Sequence, residues 1–119
     1  MKNWQLALLH LPFMGVLLYS ATTSPSVGGD GDTIMHYFLI EQAQRDAQYF
    51  FDLWGKPFFT LFAYPWVVTF GFAGIKVFNV LCGTGAVFLA SLVAKKLNKK
   101  YYYLIPILAF VSPAFPFYL

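Results

Sequence analysis

Two long apolar stretches constrain this chain more than anything else in it. Ile75 to Ala94 carries one charge, Lys76, at its beginning, and Trp4 to Ala21 carries none. A helix needs about 20 mainly apolar residues to cross bilayer hydrocarbon, where a backbone satisfies its polar groups only as a helix or a closed barrel. The chain is 59% hydrophobic and 11% charged, against about a quarter charged in ordinary soluble domains. We therefore expect an all-α, polytopic integral membrane protein. The net charge of +3 does not point to nucleic acid, because half of the eight basic residues sit in Lys95-Lys96-Leu97-Asn98-Lys99-Lys100. Such a run between apolar segments is a cytoplasmic topology signal.

The positive-inside rule then orders the segments. Lys2 and the lysine run fall on one side if Trp4–Ala21 and Ile75–Ala94 both cross and the stretch between them does not. Pro57 to Phe72 is apolar and aromatic, but it is short and broken by Pro65, so we read it as a juxtamembrane segment on the outer face. Tyr101–Leu119, led by Tyr101-Tyr102-Tyr103 as an interfacial belt, is read as a further span. The expected topology has about three spans, at 4–21, 75–94 and 101–119, an inside N-terminus and an outer loop over 22–73. A cleaved signal peptide is the rival reading of the first stretch, with Lys2 as its charged region. Cys82, Ala86, Ala90 and Ala94 form a small-residue stripe suited to close helix packing. The chain closes inside an apolar run, and we expect it to be the first part of a longer protein.

All five acidic residues, Asp30, Asp32, Glu41, Asp46 and Asp52, lie in the expected outer loop. The loop begins with Gly28-Gly29-Asp30-Gly31-Asp32, where glycines let a substrate or an ion approach closely. A carboxylate there can act as a general base on an attacking hydroxyl. Asp32 also stands where a helix N-cap is expected, a role aspartate favours, and both readings stay open. From Thr33 to about Leu53 the pattern is that of an amphipathic interfacial helix with His36, Ile40, Ala43, Ala47 and Phe50 on one face and Glu41–Arg45 as an i, i+4 pair. His36 can hydrogen-bond a ligand or be a packed polar residue, and His10 reads as a packed residue of the first span. Lys56, held between Gly55 and Pro57, is expected in an extended conformation, offering a point charge to an anionic headgroup or snorkelling to it. The single cysteine excludes an internal disulfide, and no Cys/His spacing suits a metal. Asp30 and Asp32 together can hold a divalent metal ion with water completing its shell.

Taken in order, Asp30-Gly31-Asp32 with His36-Tyr37, then Trp54-Gly55-Lys56-Pro57-Phe58-Phe59, Phe70-Gly71, Lys76-Val77-Phe78-Asn79 and Lys95-Lys96 carry a resemblance. The pattern resembles the amino-terminal part of the GT-C membrane glycosyltransferases, particularly the bacterial branch of protein O-mannosyltransferases and aminoarabinose transferases (the glycosyltransferase 39/83 type). It extends over nearly the whole chain, and its specificity lies in the order of the motifs rather than in any one of them. The resemblance implies transfer of a sugar from a polyprenyl-phosphate donor to a lipid or glycan acceptor on the outer face of the bacterial inner membrane. It implies that Asp32 or Asp30 is the base, that Lys56 lies at the carrier phosphate, and that His36 and Tyr37 line the substrate site. Many relatives carry Asp-Glu where this chain has Asp-Gly-Asp, which leaves both aspartates open. The alternative is a non-enzymatic small membrane protein, or a subunit that binds or moves the carrier lipid.

Overall fold

A computed structural model describes residues 2–23, 31–52 and 56–112, with the side chains of residues 31–33 outside that description. Among the described residues every regular element is helical: α1 (Asn3–Thr23), α2 (Gly31–Ala43), α3 (Pro57–Phe70), α4 (Phe72–Lys96) and α5 (Ile105–Val111), with 3-10 turns at Ala47–Phe51 and Tyr102–Leu104. The chain divides into two compact units, one of residues 1–23 and 79–119, the other of residues 24–78. α4 begins in the second and continues through the first.

α1 and α4 are long and apolar enough to cross a membrane. At about 1.5 Å per residue their 21 and 25 residues extend roughly 31 and 37 Å, matching the hydrocarbon thickness of about 30 Å. Their outward surface is apolar: Trp4, Leu8, Leu11, Val16, Leu89 and Val93 are exposed. α1 continues helical through Pro12, whose missing N–H removes one rung of the ladder. α3, with 14 residues, extends only about 21 Å, too short to cross. Of the segment expected as a further span, the described part is the 3-10 turn and the seven residues of α5, and residues 113–119 lie outside the described residues.

In the unit of residues 1–23 and 79–119, α1 packs on α4 through the edge of His10 against the Phe88 ring, 5.2 Å between centroids at 85°. Phe13 meets Phe110 of α5 at 4.9 Å. The buried side of α4 is Val80, Thr84 and Ser91, not the small-residue stripe, for Cys82, Ala86 and Ala90 are exposed. The two hydroxyls can face inward because each donates to a carbonyl one turn back, Thr84 to Val80 at 2.7 Å and Ser91 to Val87 at 2.9 Å.

In the unit of residues 24–78, the core is Ile40 of α2, Ala63 and Val67 of α3 and Ile75 of α4, ringed by Tyr37, Phe59, Tyr64, Phe72 and Phe78. α3 turns into α4 at Gly71, whose φ of 59° is left-handed and whose N–H donates to Val67 O at 2.8 Å. Three residues on, a Cβ at Gly74 would stand 2.0 Å from the Trp66 carbonyl oxygen, so the two helices approach backbone to backbone there. The single amphipathic helix expected over 33–53 is instead two elements. α2 ends at Ala43, and Asp46 caps the 3-10 turn, accepting from Gln48 N at 3.0 Å and from the Gln48 amide at 2.6 Å. A short carboxylate that bonds nearby backbone competes with helix continuation. Only His36, Ile40 and Ala43 of the expected face are buried, and Ala47 is exposed. Phe50 reaches the Tyr64 ring at 5.1 Å.

Candidate functional site

Of the residues singled out in the sequence, Asp32, His36 and Tyr37 belong to α2, and Lys56 directly precedes α3. α2 begins at Gly31, so the Asp32 backbone lies inside its first turn rather than at the cap. Asp30, Trp54 and Gly55 lie outside the described residues, and with Asp30 the expected aspartate pair for a divalent ion. Among the described residues no group of three His, Cys, Asp or Glu stands close enough to hold a metal.

Lys56 is the exposed residue that opens α3, with Pro57 at the first helical position. Its backbone is not extended, as the following proline led us to expect, but left-handed, with φ 50° and ψ 87°. That conformation is uncommon for a residue with a Cβ and costs on the order of 1 kcal/mol. The Lys56 carbonyl accepts the Thr60 N–H at 3.1 Å and starts the helix. The side chain forms no cap hydrogen bond.

One ring pair links the two turns. His36, buried at 8% exposure, lies 4.9 Å from Phe59, and Phe59 meets Phe78 edge-on at 5.4 Å. His36 stands one turn after Asp32, and Phe59 almost one turn after Lys56. The imidazole therefore belongs to the packed layer beneath these turns.

Tyr37 leans its ring edge on Phe72 at 5.2 Å and donates its hydroxyl to Glu41 Oε1 at 2.6 Å. That hydrogen bond, then burial, then the carboxylate charge raise its pKa above the ordinary 10.0. Glu41 thus takes Tyr37 as partner, one turn toward the N-terminus, where the sequence suggested Arg45; Arg45 lies in the turn that ends α2. Tyr–Glu at i, i+4 was the signal for this pair. The unit carries five carboxylates against Arg45, Lys56 and Lys76. Lys76 lies over the Phe72 ring at 5.4 Å.

The other histidine also carries information that its sequence position hid. His10 Nδ1 is 2.8 Å from the Leu6 carbonyl, which can only accept, so the proton is on Nδ1. Nε2 is buried without a hydrogen-bond partner, and the residue borders a cavity of about 10 Å³ together with Thr84 and Phe110. No protein-family model matches the chain, and neither a curated protein nor a solved structure does.

Proposed function

We propose that this chain supplies the acceptor-side carboxylate and the carrier-phosphate contact of a membrane glycosyltransferase, using a polyprenyl-phosphate-linked sugar as donor and a hydroxyl of a lipid or glycan as acceptor. The observation that carries the reading is the His36–Phe59 pair, which ties the Asp32-bearing turn of α2 to the Lys56-bearing turn of α3 within one unit. In this reading α1 and α4 cross the bacterial inner membrane with the N-terminus inside, and α2 and α3 lie at the outer face. The acceptor oxygen attacks the anomeric carbon while Asp32, or Asp30, takes its proton. The bond from that carbon to the phosphate oxygen breaks, and the electron pair leaves with the polyprenyl phosphate. Lys56 and the amides opening α3 meet the charge that develops there. The buried His36 positions the two turns, and Tyr37 holds Glu41 further along α2.

The test is transfer of labelled sugar from a polyprenyl-phosphate donor in membranes carrying Asp32→Asn or Asp30→Asn. One of the two should lose about a hundredfold or more, the usual worth of a general base. Lys56→Gln should lose activity that Lys56→Arg keeps in part, since both cations meet phosphate. Full activity in both aspartate variants removes the base assignment and favours the non-enzymatic alternative.

A further inference from the structure

The opposite chemistry gathers in the other unit. Residues 1–23 and 79–119 contain five lysines, Lys2, Lys95, Lys96, Lys99 and Lys100, and not one Asp or Glu. No carboxylate of the same unit is there to neutralise them. The fold concentrates this charge further. α4 ends in a Schellman turn: the Lys99 N–H donates to Ala94 O at 3.0 Å and the Asn98 N–H to Lys95 O at 3.0 Å, with Asn98 left-handed at φ 55°. The reversal holds the Lys99 backbone, with Lys100 the next residue, at the helix end that bears Lys95 and Lys96, where the negative end of the helix dipole also favours cations. Lys95 Nζ donates to Asn3 Oδ1 at 2.6 Å, bringing the start of α1, and with it Lys2, to the same place. Lys96, Lys99 and Lys100 are exposed, and Lys100 lies 5.4 Å over the Tyr101 ring, the first of three consecutive tyrosines suited to headgroup depth.

We infer that the Lys95–Lys100 turn, with Lys2 beside it, is a docking surface for the headgroups of anionic phospholipids. It stands at the end of a helix of membrane-spanning length, so the leaflet surface is the partner within its reach. Clustered lysines beside a span are attracted to an anionic leaflet by about 1 kcal/mol each, and the attraction fades over a Debye length. This inference depends on α4 crossing a membrane and not on the transferase reading, so sugar transfer and lipid preference fail separately.

The chain reconstituted in phosphatidylcholine vesicles, probed by electron spin resonance with spin-labelled lipids, tests it. The motionally restricted fraction of labelled phosphatidylglycerol should show at least about a fivefold preference over labelled phosphatidylcholine. The preference should fall toward parity near 1 M salt. Replacing Lys95, Lys96, Lys99 and Lys100 together by Gln should abolish it, and replacing them by Arg should keep it. Two double variants, Lys95→Gln with Lys96→Gln and Lys99→Gln with Lys100→Gln, should each retain part of it and guard against a quadruple variant that does not fold. Parity in the unmodified chain, or a preference that survives the Gln replacements, overturns the inference.

Discussion

The two units differ in the make-up of their packed layers and in the sign of their charge. Where α1 packs on the later turns of α4, Thr84 and Ser91 are satisfied by carbonyls of their own helix, and neither needs a partner across the interface. That unit carries only positive formal charge and keeps it at one helix end. Where α2 packs on α3 and the first turns of α4, the layer is aromatic, and at its edge the Tyr37 hydroxyl donates to Glu41 of the same helix. All the carboxylates belong there. Self-satisfied hydroxyls suit a surface surrounded by hydrocarbon, where nothing else supplies a hydrogen bond. A hydroxyl that donates to a carboxylate, as Tyr37 does to Glu41, suits a segment at a water boundary.

This contrast can be broken most severely at Gly74. Gly74→Ala forces a Cβ into the Trp66 and Val67 backbone, which no rotamer change relieves, and should cost about 3 kcal/mol. Hydrogen exchange should then speed up by roughly a hundredfold in α2 and α3, since each 1.4 kcal/mol is about a factor of ten. Amides of α1 and of residues 80–96 should change far less; equal acceleration would show that the units do not open separately.

Next in size is the Tyr37–Glu41 bond. Tyr37→Phe should cost about 1 kcal/mol in denaturant unfolding, the order expected for a half-exposed hydrogen bond to a carboxylate. The folded state holds the phenol proton more tightly than the unfolded chain does, so this contribution is complete below pH 10.0. It is lost as the pH rises through the raised folded value. Stability should therefore fall with alkali more steeply in the unmodified chain than in Tyr37→Phe; parallel profiles would mean that the raised value is absent in solution.

The smallest effect expected has the opposite sign. His10→Leu removes a buried ring nitrogen without a partner and keeps an apolar side chain beside Phe88, so thermal unfolding in detergent should be unchanged or shifted upward by the equivalent of about 1 kcal/mol. A loss of 2 kcal/mol or more would show that Nε2 is hydrogen-bonded in the membrane, and the contrast between the two units would narrow.

Much of this was legible in the residues themselves. Lengths and hydropathy marked α1 and α4 as helices able to cross a membrane, and Pro65 with the shortness of its segment marked α3 as unable to. Charge segregation was explicit as well, because every acid falls between residues 30 and 52 and the lysine run follows the second long stretch. Gly71 announced a turn and Asn98 tolerated the left-handed cap that closes α4.

Other features depended on neighbours distant in sequence or on competition between local options. The break after Ala43 came from the Asp46 carboxylate preferring Gln48 to a continued helix. Which face of α4 turns inward followed from hydroxyls that satisfy themselves, which a stripe of small residues does not foretell. Lys56 has a left-handed backbone where the following proline alone favours an extended one, and its carbonyl still accepts the first bond of α3. His36 was buried by Phe59, and no spacing within α2 could name that partner. Composition and period thus determined what the chain can lie in and where its charges sit. Only tertiary packing decided which rings meet and which helix faces turn inward, because that choice is made between segments and not within them.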